Sequence, residues 1–554
     1  MDSVRSDRKV NFSPSPPPSR TSHPPSSLSR LLKRIIYYTL LLHRILTDYL
    51  STLLFRVYYT LFHPRRRLPA PPSSLLLESA TFLAQKIRAG DITSAELVNL
   101  FIQRIEAVNP VLNVVVAERF QEARREARLA DQALASGLPE HGVERQPFLG
   151  VPFTTKECIR VTGLPNTSGL YLRQGFVATE DADVVRLMRQ AGAIPLAVTN
   201  ISEICMWWES SNKIYGQSRN PYNTQRIVGG SSGGEAALLA AAGSPFGIGS
   251  DIGGSIRMPA FFNGIFGHKP TFGIVPNRGQ FPDVSGNLSK FLTTGPMCRF
   301  AEDLVPMLKV LAGEKADRLN LDSPVDISRL RVHFASDDGG FPLISPVQPS
   351  IKTALLSAVH HLSDVCGAEL VSSPQISGSM RPLRFSLDIW SSMMSQEKCH
   401  SFAQDMANRE GEVNAPLELL KWLLGQSQHT FPAVLLGVVE MATARMVTRQ
   451  TRFAKMCGIL EAAFVEMLGS DGVFLYPTHP RTAPYHHQPL TMPFNFAYTA
   501  IFNALGLPSC HVPLGLDAEG LPLGVQVVSN HYNDRLCLAV AAELEKGFGG
   551  WVCP

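Results

Sequence analysis

Two glycine–serine clusters constrain this chain more than any other feature: Gly229-Gly-Ser-Ser-Gly-Gly234, and Asp251-Ile-Gly-Gly-Ser-Ile-Arg257 a short distance on. Such clusters are usually turns or linkers, but the first runs straight into Glu235-Ala-Ala-Leu-Leu, a helix-forming stretch in an apolar context. A flexible linker is therefore disfavoured. Around the clusters, short β-like runs over 148–155 and 193–198 alternate with helical runs over 184–191 and 235–242, and no repeat of 20–50 residues is visible. Alternation of this kind predicts an α/β fold with a covered sheet. Upstream, Thr93-Ser-Ala-Glu96 has capping-box spacing, followed at helical intervals by Leu97, Leu100, Phe101, Ile105 and Val108 and then an expected stop at Asn109-Pro110. A charged helix is expected over about residues 117–136.

Composition excludes several classes. With 45% hydrophobic residues among 554, most of the chain buries a sizeable core, so collagen-like, coiled-coil and wholly disordered readings fail. The net charge of +4 conceals an asymmetry: residues 1–67 carry twelve Lys and Arg against three Asp, so acids outnumber bases in the remainder. Positive charge beside apolar residues in a short segment suits an anionic membrane surface better than nucleic acid, so no nucleic-acid partner is expected. The nine cysteines are scattered without a CxxC and read as reduced thiols. No HExxH occurs, and His486 and His487 are adjacent rather than one helical turn apart, so no metal is expected, and no cofactor. Asn166-Thr-Ser and Asn287-Leu-Ser fit the glycosylation pattern, too common a motif to place the body in a lumen.

Three segments carry the chemistry: Gly150-Val-Pro-Phe-Thr-Thr-Lys156-Glu157 and the two glycine–serine clusters. A lysine beside a glutamate is, taken alone, usually a solvated pair. Phosphate cradling fails, because GGSSGG lacks the Lys-Ser/Thr ending of a Walker A loop and Ile252 stands where GxGxxG needs its third glycine. Residues 229–233 do match GxSxG, which would make Ser231 a nucleophile served by a downstream Asp and His. That rival stays open on spacing alone.

Taken together, the lysine and the two loops resemble the amidase signature family. The resemblance continues through Gly267-His-Lys-Pro-Thr271, Gly295-Pro-Met297 with Glu302-Asp303, Tyr476-Pro-Thr478, and Gly506-Leu-Pro508 to Gly524, covering roughly residues 75–545. It implies one α/β domain with a mixed, mostly parallel central sheet of about eleven strands wrapped by helices. It also implies a Ser-Ser-Lys triad: Ser255 as acyl-ester nucleophile, Ser231 as the bridging serine held by a cis peptide, and Lys156 as general base. Ser232 is left as a loop residue. A serine hydroxyl attacks well only after losing its proton, and an amine takes that proton only when neutral, which burial favours. Lys156 is therefore expected to be buried. The backbone N–H groups of Ile252, Gly253, Gly254 and Ser255 are expected to form the oxyanion hole, with Asp251 and Arg257 pairing to support the loop.

The N-terminus adds a second theme. Residues 1–29 are a Ser/Pro-rich tail expected to be disordered, 30–63 an apolar helix, 64–74 a basic, proline-rich linker, and 75–554 the catalytic domain. Arg44, Asp48 and Arg56 interrupt the apolar run, so it falls short of a clean membrane span. At about 100° per residue these charges, with Lys33 and Arg34, share one side of the helix, and only His43 falls opposite. An amphipathic helix lying in the interface, or a tilted imperfect span closed by Arg65-Arg66-Arg67, is expected to attach the protein to a lipid bilayer, such as that of the endoplasmic reticulum or a lipid droplet. That attachment and the resemblance point to long-chain acyl amides as substrate. Amidases of other specificity, the glutaminase subunit of an amidotransferase, and a membrane-tethered lipid-binding pseudoenzyme are the alternatives; a homodimer is left open. The apolar runs 416–424 and 431–439 read equally as acyl-channel walls or membrane-dipping segments and as core helices.

Overall fold

A computed structural model describes residues 27–137, 145–284, 286–371, 378–395, 400–443 and 447–554. The expected Ser/Pro-rich tail lies almost wholly outside these residues. Eleven strands form one sheet: β1 (Val115–Glu118), β2 (Pro152–Lys156), β3 (Ile194–Thr199), β4 (Phe246–Asp251), β5 (Phe266–Lys269), β6 (Thr293–Cys298), β7 (Arg331–Phe334), β8 (Glu369–Leu370), β9 (Gly472–Pro477), β10 (Ser509–Leu516) and β11 (Pro522–Ser529). Their spatial order is β1-β3-β2-β4-β6-β5-β10-β11-β9-β7-β8.

The sheet is mixed, but the expectation that it is mostly parallel is corrected. Parallel pairing joins β3 to β2, β2 to β4, β9 to β7 and β7 to β8. The other six neighbouring pairs are antiparallel. Parallel neighbours need a long crossover, whereas antiparallel ones accept short connections. The centre of this sheet takes the short route: β10 and β11 form a hairpin whose turn is closed by Gly520 N–H donating to Asp517 O at 2.9 Å.

Local signals in the sequence produce the flanking helices. Thr93 and Glu96 form the expected reciprocal cap at the start of helix Ser94–Leu112, whose buried face carries Leu97, Val98, Phe101, Ile102, Ile105 and Val108. The expected stop at Asn109-Pro110 comes late. The helix runs through Pro110 to Leu112 and ends where Asn113 turns left-handed at φ 53°, with the Asn109 side chain accepting the N–H groups of Val114 and Val115.

Strand order places the site. β2 and β4 are adjacent and parallel, with Thr154 opposite Gly247 and Thr155 opposite Ile248. Their C-terminal ends therefore emerge side by side, one delivering Lys156 and the other the loop after Asp251. In open α/β sheets the crevice beyond the carboxyl ends of strands is where ligands collect.

The N-terminal helix Ser27–Phe62 is docked on this body. Arg44 pairs with Asp48 and donates to Thr491 O at 2.7 Å, Arg56 pairs with Glu519, and the Tyr59 ring stacks on Tyr485 with centroids 5.5 Å apart. Arg44, Asp48 and Arg56 of the charged stripe thus lie at the protein contact, Arg34 is exposed, and Leu31, Ile35, Leu42, Leu50, Leu54 and Leu61 stand exposed as well. Among the described residues no helix is long and apolar enough to cross a membrane. The basic stop is also engaged, Arg65 donating to Tyr222 O and the Arg66 N–H to Thr224 Oγ1.

Candidate active site

Lys156 closes β2 with 1% of its surface exposed. Its Nζ donates to Ser231 Oγ at 2.6 Å and to Ser250 Oγ at 3.0 Å, Ser250 lying on the neighbouring β4. Burial of the amine is as expected; the second hydroxyl was not foreseen. Glu157 does not form the solvated pair that its position beside the lysine suggested. It is fully buried and accepts the N–H of Thr167 at 2.6 Å and of Ser168 at 2.8 Å. Burial pushes its carboxyl up to about 7 against those hydrogen bonds.

Ser231 sits between two close backbone approaches. The Gly230–Ser231 peptide is cis, as the resemblance implied. A Cβ on Gly230 would lie 2.5 Å from Trp207 O, so only glycine lets this loop pass the 207–209 backbone. Ser231 has a lysine amine as partner, which is not the imidazole that the GxSxG reading needs. Helix Gly233–Ala240 follows at once, its Gly234 N–H donating to Asn200 O at 3.0 Å.

Ser255 is 7% exposed and lines the same cavity of about 930 Å³ as Lys156 and Ser231. The loop before it is held by Asp251, whose Oδ1 accepts the Gly254 N–H at 2.7 Å and whose Oδ2 accepts the Ile256 N–H at 3.1 Å. Of the four amides assigned to the oxyanion hole, Gly254 is therefore committed to the loop's own carboxylate. The remaining three belong to Ile252, Gly253 and Ser255. Gly254 has φ 121°, and a Cβ there would fall 2.0 Å from Thr499 Oγ1, which itself donates to Gly253 O at 2.8 Å.

Asp251 and Arg257 form the expected pair, fully buried at 3.1 Å. Arg257 also donates to Thr499 O, Gln526 Oε1 and Asn503 Oδ1, and the Asn503 amide returns a bond to Asp251 Oδ1. Burial works to raise the Asp251 carboxyl, yet the Arg257 charge and hydrogen bonds, with Asn503, hold it down at about 2. Neither Asn503 nor Gln526 was legible in advance, because both lie more than 240 residues from Asp251 in sequence and carry no motif of their own. Next to this cluster, burial and then the Arg257 charge bring the Lys269 ammonium down to about 7.

The cavity lining includes the apolar side chains Phe281, Leu288, Leu292, Trp390 and Met394, together with charged ones such as Asp283, Arg409 and Glu412. Trp390 Nε1 donates to Ile252 O at 2.9 Å, tying the lining to the loop. Helices Ala415–Leu423 and Phe431–Thr443 contribute Ala415, Pro416, Leu436 and Val439 to the lining, while Leu417, Leu420 and Leu423 of the first are exposed. Channel wall and outward apolar face thus coexist in segments that sequence left undecided. Eight described cysteines are free thiols, and Asn166 is wholly buried, which closes it to glycosylation in the folded protein.

A family model described as Amidase matches residues 96–538. The chain belongs to the amidase family. Fatty-acid amide hydrolase 2 of Homo sapiens is 50% identical over 488 residues, covering 87% of this chain and 91% of that protein. A glutamyl-tRNA(Gln) amidotransferase chain of Marinomonas sp. is 29% identical over 489 residues, covering 85% and 96%. A solved structure titled "Fatty acid amide hydrolase" superposes with a TM-score of 0.69 at 22% identity, covering 87% of each chain. That likeness concerns the fold, and it matches an amidase-family α/β architecture built on a mixed eleven-stranded sheet.

Proposed function

We propose that this protein is a serine hydrolase cleaving long-chain fatty-acid amides to a free fatty acid and an amine or ammonia. The observation carrying the reading is the buried Lys156 amine bonded to Ser231 in the cavity that Ser255 lines. The Ser255 hydroxyl attacks the amide carbonyl carbon while its proton passes through Ser231 to Lys156. The carbonyl oxygen becomes an oxyanion received by the amides of Ile252, Gly253 and Ser255. Collapse breaks the C–N bond as the proton returns from Lys156 through Ser231 to the leaving nitrogen. Water then attacks the acyl ester, its proton following the same relay, and the carboxylic acid departs. No cofactor enters these steps.

Substrate choice rests on the apolar side chains of the cavity lining and on the 50% identity to a relative named for fatty-acid amides, against 29% to the amidotransferase chain. The N-terminal helix supports delivery from a bilayer surface: Arg44, Asp48 and Arg56 face the body, and leucines such as Leu50, Leu54 and Leu61 face outward as an interfacial helix requires.

Covalent labelling with a fluorophosphonate, read by intact mass and peptide mapping, tests the assignment. A single adduct on Ser255 that disappears in Ser255→Ala is expected; an adduct on Ser231, or none on folded protein, refutes it. Lys156→Ala is expected to impair hydrolysis of an acyl amide more than of the matched ester, and equal losses would remove the proton-return role.

A further inference from the structure

A second cluster of reactive side chains lies away from this cavity. Helix Pro349–His360 continues into a single π turn, His361–Val365, closed by the Cys366 N–H donating to His361 O at 3.1 Å. Such turns are rare and are often found at functional sites. This one brings the His361 imidazole and the Cys366 thiol to the same Glu543 oxygen, on the C-terminal helix Asp534–Phe548. Glu543 Oε1 lies 3.4 Å from His361 Nε2 and 3.5 Å from Cys366 Sγ, and all three donor atoms fall within 4.8 Å of one another.

From these contacts we propose that His361, Cys366 and Glu543 form a zinc site with three protein ligands and a fourth position open to water. Tetrahedral coordination at ordinary zinc bond lengths puts N and O about 3.3 Å apart and S and O about 3.5 Å apart. Two edges of the cluster already have these lengths. As a hydrogen bond, 3.4 Å between nitrogen and oxygen is long. Thiolate, imidazole and carboxylate together suit a borderline cation such as Zn²⁺; Ca²⁺ and Mg²⁺ take oxygen ligands.

The surroundings fit the role. A Cβ on Gly547 would lie 2.6 Å from His361 Cε1, so the missing side chain one turn after Glu543 makes the seat for the ring. Phe548 meets the imidazole edge-on at 5.6 Å. The second carboxylate oxygen of Glu543 accepts from Lys546 at 3.2 Å, which orients the first toward the cluster. The His361 and Glu543 side chains are 16% and 23% exposed, so an ion has an entry path. None of the three lines the catalytic cavity, so the metal joins the π turn to the C-terminal helix and takes no part in amide cleavage. Sequence spacing pointed away from any metal because the third ligand lies 177 residues beyond the cysteine.

The test uses tag-free full-length protein titrated with Co²⁺ and then Zn²⁺. One equivalent of cobalt is expected, with a thiolate-to-cobalt charge-transfer band and visible bands of tetrahedral intensity, both displaced by zinc. Cys366→Ser should abolish the charge-transfer band, and His361→Ala and Glu543→Gln should weaken binding at least tenfold. Cys553→Ser, at an exposed cysteine, should leave it unchanged. In the wild type, equimolar zinc should also protect Cys366 from iodoacetamide in mapped peptides, a readout independent of how the variants fold. Absence of stoichiometric binding, a charge-transfer band that survives Cys366→Ser, or an alkylation rate at Cys366 indifferent to zinc would each overturn the proposal.

Discussion

Replacing Arg257 with methionine tests the reasoning about the nucleophile loop most directly. The change removes a buried cation and its two contacts to Asp251, and it leaves Thr499 O, Gln526 Oε1 and Asn503 Oδ1 without that donor. Breaking one side of a buried ion pair costs about 3–5 kcal/mol. Unfolding entropy scales with length, so over the roughly 480 residues from 75 to 554 each kcal/mol moves the melting temperature by about 1 °C, and a fall of about 3–5 °C at pH 8 is expected in calorimetry. The penalty should depend on pH in a defined sense. In the wild type the Asp251 carboxyl sits at about 2, below its unfolded value, so its contribution of about 2.5 kcal/mol is complete above about pH 5 and lost as pH falls through about 2. Without Arg257, burial dominates and the carboxyl rises above about 4; such a group weakens the fold as pH rises through that interval. The deficit of Arg257→Met should therefore shrink between pH 8 and pH 5, and Asp251→Asn added to it should recover part of the loss. A deficit under about 1 °C, or one equal at both pH values, refutes the claim that this pair holds the loop.

Gly254→Ala should lower kcat by about 10²–10³, the scale of losing an oxyanion donor, because the Thr499 hydroxyl and the positive φ force the loop to move; Gly253→Ala, whose Cβ would meet only Trp390 at 3.4 Å, should stay within tenfold, and equal effects in steady-state kinetics would contradict the geometry. Lys269 at about 7 lies below its unfolded value, so its burial penalty is full below pH 7 and lifts as pH rises toward 10. Lys269→Met should accordingly raise the melting temperature more at pH 6 than at pH 9, and the opposite order would show that the ammonium is stabilised where it lies. Leu50→Gln with Leu54→Gln, at side chains exposed by 53% and 68%, should reduce co-sedimentation with liposomes while leaving melting unchanged; undiminished sedimentation would remove the outward face as the membrane contact.

Much of the site was legible because its signals are local. Lys156 ends a run of strand-forming residues, and glycines at 230 and 254 mark points where a side chain would collide with Trp207 or Thr499. The capping box at Thr93 was readable for the same reason, since its partners lie three residues apart. Ser250 as a second acceptor for Lys156, and the engagement of the Gly254 amide by Asp251, were not. Both depend on how β4 lies against β2 and on how tightly the loop turns, which neighbouring residues do not specify.

The residues of the proposed relay came from the family resemblance; the sequence alone determined the close-approach glycines, the α/β alternation and the amphipathic character of the N-terminal helix. Each follows from interactions within a few residues or from a helical period, and these hold wherever the segment ends up. Tertiary structure decided the rest: which serine meets the lysine, which amides stay available, the antiparallel majority of the sheet, and the contact of Arg44, Asp48 and Arg56 with the body. It also decided that His361, Cys366 and Glu543 share one corner. Those outcomes are set by burial and pairing between segments tens to hundreds of residues apart, where chain entropy leaves position undetermined until the whole core packs.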